Sequence, residues 1–322
     1  MKRIQRVDLI DGPILPALLS FAFPILLSNI FQQLYNTSDV MIVGRFLGQK
    51  SLAAVGATSA IFDLIVGFAV GVGNGMEIII ARNYGAKNED QLRKSVAATA
   101  IIGGILSLFV IFIGAVGLYP LLQFLGTPSA IVSQSYLYIA TIVNGVAVTF
   151  AYNLCAGLLR AVGDSLAALY FLIIAAVLNI LLDLYFITQL HLGVQSAGIA
   201  TIIAQSFSAL LCFFYIRKKV PFLLPSRTDF VWDQKLYQDL ISQGLTMGLM
   251  SSIVSIGTVI LQSAINKLGM TIISAQISAR RIMSFALLPM AAISTSMTTF
   301  TSQNFGAKQF RRIQKGVKQA CL

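Results

Sequence analysis

Four carboxylates lie within long apolar stretches of the sequence, where a charged group is energetically costly. They are Asp39, Asp63, Glu77 and Asp183. An ionised Asp at the centre of a bilayer costs about 2.5–3.5 kcal/mol on the insertion scale. Each of these acids must therefore face protein or water, and each is a candidate for binding an ion or a proton.

Asp39 ends a polar stripe that begins at Gln32. Spacings of four and three residues place Gln32, Asn36 and Asp39 on one face of a helix. We interpret Asp39 as an ion- or proton-binding residue. The amides of the stripe are candidates for lining a substrate cavity, namely Gln32, Gln33 and Asn36. The structural alternative is an acid near the outer headgroups, close to the basic residues that follow it.

Asp183 and Asn179 are four residues apart in another apolar stretch, so their side chains share a helix face. A carboxylate and an amide carbonyl are oxygen ligands suited to a hard cation such as Na⁺, and the carboxylate also accepts H⁺. The structural alternative is a hydrogen-bond network that only holds neighbouring helices together.

A structural role is favoured for the remaining charges inside apolar stretches. The residues 221 positions after Asp63 and Glu77, which correspond to them in an internal repeat of the chain, are Ser284 and Thr298 and carry no charge. Arg280 and Arg281 are candidates to partner a buried acid or to line a cleft.

The composition shows why these stretches are expected to cross a membrane. Of 322 residues, 57% are hydrophobic and only 11% are charged, against about 25% charged in an ordinary soluble domain. No Asp, Glu, Lys, Arg or His lies between Lys94 and Arg160, and about 20 apolar residues suffice for one crossing. The composition predicts an all-α polytopic membrane protein.

Eight membrane spans are predicted, and the basic residues orient them. The spans cover roughly 14–44, 52–81, 95–118, 131–157, 166–188, 194–216, 237–262 and 271–303. Lys and Arg concentrate at the N-terminus and after the second, fourth, sixth and eighth spans, which places these segments in the cytoplasm. We expect a multi-pass protein of the cell (plasma) membrane. The net charge of +11 is scattered over separate loops, so no nucleic-acid partner is expected.

Cofactor chemistry has little support in the sequence. The three cysteines have no paired spacing, and one histidine cannot build a multi-histidine metal site. We expect no cofactor other than a coupling ion.

The chain contains an internal repeat. The line "RNYGAKNEDQLRKSV" from Arg82 returns as "QNFGAKQFRRIQKGV" from Gln303, 221 positions later. Gly85 and Gly306 are expected to end their helices with positive φ. Because six spans separate the two copies, we predict two parallel six-helix repeats, the second truncated after two helices. The expected lobes are 1–220 and 221–322. Two whole units would end near residue 442, so we expect the chain to be a fragment.

Four segments together resemble the multidrug and toxic compound extrusion (MATE) family. They are "GPILPALLSFAFPILLSNIFQQLYNTSDVMIVGRFLG", "ARNYGAKNED", "GLLRAVGDS" and "LNILLDLYFI". The resemblance implies twelve helices in two six-helix lobes. Branches with a membrane acid in the second lobe keep a glutamate in the seventh span, and this chain has none there. It is most similar to the DinF-like bacterial branch, whose ion site lies in the first lobe.

The resemblance also implies roles for individual residues. The first-span and fifth-span acids of the family correspond to Asp39 and Asp183, and Asn179 matches the fifth-span amide. Asn153 and Thr201 correspond to further polar members of the same ion- or proton-binding cluster. Na⁺ is a candidate ligand of Asp39, Asn179 and Asp183.

The predicted function is a cation-coupled (Na⁺ or H⁺) antiporter that exports cationic or amphipathic drugs and toxic compounds. The expected partners are these small molecules and the lipid bilayer, and the protein is expected to be a monomer and not an enzyme. One alternative is a lipid or lipid-linked sugar flippase of the same fold superfamily, which would need a strongly basic cleft. Another is a membrane-embedded metal-dependent enzyme, which would need several Asp in one short motif.

Overall fold

The computed structural model describes residues 6–266 and 270–321, and within this part every regular element is a helix. The side chain of Arg281 lies outside the described residues. The α-helices are α1 (Ile14–Gly85), α2 (Glu89–Phe124), α3 (Ser129–Asn144), α4 (Val146–Ala161), α5 (Ser165–Thr188), α6 (Gln195–Lys219), α7 (Gln234–Asn266), α8 (Met270–Gly306) and α9 (Phe310–Ala320). Two short 3₁₀ helices, Pro221–Leu223 and Arg227–Asp229, join α6 to α7.

The predicted spans correspond to these helices, with one difference at the first two. No loop separates them, because α1 runs through 72 residues and departs from helical geometry at Gly48, where φ is 82°. That positive φ is accessible to glycine without steric cost. A straight helix of this length would measure about 108 Å, so the two arms, residues 14–47 and 49–85, each serve as one span. The fourth predicted span is the pair α3 and α4, bent by 45°.

The length and apolar composition of the helices are those of membrane spans. Six helices, α1, α2 and α5–α8, are long and apolar enough to cross a bilayer, and the bent pair passes the same test as one span. The prediction of an all-α polytopic membrane protein is confirmed. The helix α9 was not predicted; it is a short amphipathic helix that follows α8.

The two copies of the repeated line meet where α1 and α8 cross. A Cβ on Gly85 would overlap the backbone of Gln303, and a Cβ on Gly306 would overlap the backbone of Arg82. Gly306 is the repeat counterpart of Gly85, and Gln303 is that of Arg82. The two contacts are therefore equivalent, as expected of two parallel repeats around one axis. The expectation of positive φ at these glycines is wrong. Lys87 and Lys308, two residues further on, carry it at 54° and 58°.

The ends of these helices define one face of the bundle, which we call the basic end. It contains Arg6, whose guanidinium donates to the carbonyl oxygen of Lys219 at 2.8 Å, and Arg82, which pairs with Asp239 at 2.9 Å. The Gln303 side chain donates to the carbonyl of Ala161 at 2.7 Å. These contacts join the N-terminal segment to α6, α1 to α7, and α8 to α4 at this end.

The close crossing predicts opposite effects for two glycine substitutions. Gly85→Ala should destabilise the protein by about 1–3 kcal/mol, the usual cost of forcing extra atoms into a packed interface. Gly104→Ala is the matched control, since a Cβ there meets nothing within 4 Å and alanine favours the helix. Thermal unfolding in detergent measures both. Equal melting temperatures for the two variants would contradict the assigned crossing.

Candidate functional site

Asp39 and Asp183 lie side by side although they come from different helices. Asp39 is in the first arm of α1, and Asp183 is near the end of α5, with no exposed surface. Their carboxyl groups are direct neighbours. The packing of α1 against α5 creates this proximity, which unites the two acids that the sequence analysis singled out.

Thr201 connects the pair to a third helix, α6. Its hydroxyl oxygen accepts a hydrogen bond from the Tyr35 hydroxyl at 2.9 Å and a longer one from the Asn179 amide at 3.3 Å. The same hydroxyl donates to the carbonyl oxygen of Ala197 at 2.9 Å. Because Thr201 donates to the backbone, its oxygen is available to the cluster only as an acceptor.

Several buried oxygens of this cluster have no hydrogen-bond partner among the described residues. They are Oδ1 of Asp39, both carboxylate oxygens of Asp183 and Oδ1 of Asn179. Buried polar atoms are normally paired, and an exception calls for an explanation such as an ion. All four atoms are acceptors and therefore suit a monovalent cation, whereas a proton shared between the two carboxyl groups would satisfy two of them. Within the described part of the chain, no three acidic, histidine or cysteine side chains form a metal-binding group.

A cavity of about 290 Å³, with both polar and apolar residues in its wall, adjoins the cluster. Its wall includes Asp39, Thr201 and the predicted cavity residues Gln32 and Asn36, together with Asn153. Gln33 does not contribute to this wall, because it lies on a different side of the helix. Asn153 donates to the carbonyl oxygen of Thr149 at 2.7 Å, so it lines the cavity and makes no described contact with the acid pair.

Other residues of the cavity were not singled out by the sequence analysis. The rings of Tyr35 and Tyr138 both lie near the two acids, and Thr149 donates to Gln205 at 2.7 Å in the cavity wall. Tyr35 could have been found from its spacing, since it falls between Gln32 and Asp39 on the same helix face. Tyr138 has no comparable local signal.

The remaining charged residues have distinct environments. Asp63 lines the cavity and lies within electrostatic range of Arg280. Glu77 is paired with Arg160 at 2.9 Å, and both side chains are largely buried, with 12% and 19% of their surfaces exposed. The partner of Glu77 is thus on α4, whereas Arg280 and Arg281 were the candidate partners predicted for a buried acid.

A second cavity, of about 170 Å³, lies beside the first and includes Arg160 in its wall. The two cavities share Gln32, Tyr152 and Asn153 in their walls. The second one also contacts Thr295 of α8. The second cavity therefore adjoins the first and reaches α8, which belongs to the second repeat.

A family model and individual proteins of known sequence identify the same kind of relative. Residues 24–185 and 247–322 match the MatE family model. Two Bacillus subtilis proteins are similar along most of the chain. The probable multidrug resistance protein YoeA is 28% identical over 92% of this chain and 66% of its own length. The probable multidrug resistance protein YpnP is 28% identical over 96% and 69%. The chain spans about two thirds of the length of these relatives.

A solved structure extends the similarity to three dimensions. The outward-facing structure of a multidrug resistance MATE family transporter of the MOP superfamily has a TM-score of 0.91 and 25% sequence identity. The match covers 99% of this chain and 71% of that one. The family match includes Asp39 and Asp183, part of α7 and all of α8. The chain therefore belongs to the MatE family.

Proposed function

We propose that the protein is a cation-coupled exporter of small cationic or amphipathic compounds and not an enzyme. Residues 1–220 would form its first lobe, and residues 221–322 would belong to the second. The basic end would face the cytoplasm, because basic segments stay on that side of a membrane. The multidrug resistance function in the names of the relatives supports this proposal.

One observation carries the proposal: the unpartnered acceptors around Asp39 and Asp183. Asp183 is buried and Asp39 is half-buried, and two adjacent negative charges shielded from water are costly without a counter-ion. A bound Na⁺ or proton removes this cost. The cluster would therefore take up a cation in a conformation that buries it, and release the cation in one that admits water.

Coupling follows from the position of the cluster in the cavity wall. Asp39 faces the 290 Å³ cavity, so an ion bound there changes the charge that a cationic substrate meets. Each ligand would favour the conformation that binds it more tightly, which links ion entry to substrate release. The amides of Gln32, Asn36 and Asn153 would contact polar groups of the substrate.

We expect Na⁺ and H⁺ to compete for this cluster. Adding Na⁺ to the purified, weakly buffered protein should release protons, because the metal ion and the proton need the same carboxylate oxygens. A pH-sensitive dye measures the release, and N-methylglucamine controls for ionic strength. Asp63→Asn should release as much as the wild type, whereas Asp183→Asn should release much less.

The outcomes separate the two coupling ions. Absence of Na⁺-dependent release in the wild type would remove Na⁺ from the mechanism and leave H⁺ alone. Equal release from wild type and Asp183→Asn would contradict the assignment of the site to the acid pair.

A further inference from the structure

A third cavity, of about 110 Å³, lies between the second arm of α1 and α8. Its wall consists largely of equivalent positions of the two repeats, related by the offset of 221 residues. These pairs are Asn74 with Thr295, Glu77 with Thr298, Ile78 with Thr299, and Ala81 with Ser302. The cavity therefore lies on the axis that relates the repeats. Its two sides differ in chemistry, with a carboxylate on α1 and a hydroxyl face on α8.

The hydroxyl face offers four oxygens that can only accept. Four of its five hydroxyls, all but that of Ser294, donate their hydrogen to the backbone carbonyl four residues earlier in α8. The donors and distances are Thr295 at 3.0 Å, Thr298 at 2.9 Å, Thr299 at 3.3 Å and Ser302 at 2.7 Å. A hydroxyl has one hydrogen, so its remaining capacity is its lone pairs. This face is suited to a cation.

Glu77 adds the negative charge on the opposite side of the cavity. Its Oε2 accepts from Arg160 at 2.9 Å, and Oε1 makes no hydrogen bond with any described residue. Arg160 lines the neighbouring 170 Å³ cavity and does not contribute to this wall. Of this ion pair, only the acidic member faces the hydroxyls, and the two cavities share Asn74 and Thr295 in their walls.

This cavity is distinct from the cluster around Asp39. Glu77 lies eight residues before the end of α1 at Gly85, which is about 12 Å along the helix from the basic end. Asp39 lies nine residues before the kink at Gly48, about 14 Å from the opposite end of its arm. The two acids therefore occupy opposite halves of the bundle.

We propose that this cavity is a second binding site for a monovalent cation, either Na⁺ or the ammonium group of a substrate. Its volume of about 110 Å³ exceeds the room that one water needs and accommodates a small cation with a few waters. A cation held there touches both α1 and α8. It would stabilise the arrangement in which the two repeats are closed at the basic end.

The test uses a background that lacks the first site. In the Asp39→Asn/Asp183→Asn double variant of the purified chain, we expect radiolabelled Na⁺ or radiolabelled methylammonium still to bind. Adding Thr298→Val should weaken that binding about tenfold, since the variant keeps the shape but loses one oxygen contact to a charged ligand. Thr246→Val is the matched control, because its hydroxyl also donates to the backbone four residues earlier but lies exposed on α7.

The two probes distinguish the sources of the cation. Binding of Na⁺ that depends on Thr298 identifies an ion site, and binding of methylammonium that depends on Thr298 identifies a substrate subsite. If neither probe binds the double variant, or if Thr298→Val behaves as Thr246→Val with both, the proposal is wrong. Because the acid pair is already removed, this result is independent of the function proposed for Asp39 and Asp183.

A Glu77 variant provides a second line of evidence. Glu77→Gln should abolish the remaining binding, but it also leaves Arg160 without its ionic partner. Thr298→Val leaves that ion pair intact, so the proposal stays testable if Glu77→Gln does not fold. Gel filtration and thermal unfolding of each variant verify that the chain is folded before binding is measured.

Discussion

Asp39→Asn is expected to abolish ion-coupled efflux while the protein still inserts into the membrane. The amide keeps the size of the side chain, but it can neither carry the charge nor take up the proton that coupling requires. Its neighbour Asp183 would remain buried with half of the site removed. The loss should therefore be nearly complete, in contrast to the partial loss expected for a residue that only lines the cavity.

The measurement is efflux of a fluorescent cationic compound from cells at matched membrane abundance. Asp63→Asn is the control, because it also replaces an acid in the cavity wall but leaves the pair intact. Efflux by Asp39→Asn at the wild-type rate would refute the assignment. If both variants lose efflux equally, efflux depends on the total negative charge of the cavity and not on the pair of Asp39 and Asp183.

Arg160→Met is expected to destabilise the protein by about 3–5 kcal/mol, because removing one member of a buried ion pair leaves the other charge uncompensated. The stranded group is Glu77, with 12% of its side chain exposed. Lys94→Met is the control: the pair of Lys94 with Asp90 joins successive turns of α2 in a more exposed position. Such exposed pairs contribute little.

Thermal unfolding in detergent compares these variants. The double variant Glu77→Met/Arg160→Met should recover much of the lost stability, because it removes the unpaired charge and keeps the volume. If Arg160→Met unfolds at the same temperature as Lys94→Met, the ion pair does not stabilise the fold. If the double variant is no more stable than Arg160→Met, the loss comes from packing and not from charge.

The membrane-spanning helices and the faces of the site could be predicted because both depend on local properties. A span requires about 20 consecutive apolar residues, which is visible in the order of residues alone. The face shared by Gln32, Asn36 and Asp39 follows from the helical period, and so does that of Asn179 and Asp183. The repeat was also visible, because it is a likeness between two stretches of sequence.

The residues that adopt positive φ at the ends of helices were harder to predict from the sequence. Gly85 and Gly306 were expected to adopt the helix-ending conformation, but Lys87 and Lys308 adopt it. The glycines serve the crossing of α1 and α8, where a side chain would overlap the opposite backbone. A glycine permits positive φ and permits close approach, and the sequence does not distinguish these two uses.

The contacts between helices were decided only by the tertiary structure. The order of residues indicates which side of a helix is polar, but not which other helix that side meets. Asp39 meets Asp183 because α1 packs against α5, and Glu77 pairs with Arg160 across 83 positions of the chain. The cavity between Glu77 and Thr298 likewise exists only where two repeats close around their axis. The sequence by itself determined the helices and their polar faces, because these depend on neighbours along the chain. Packing between distant segments decided which of those faces form a site.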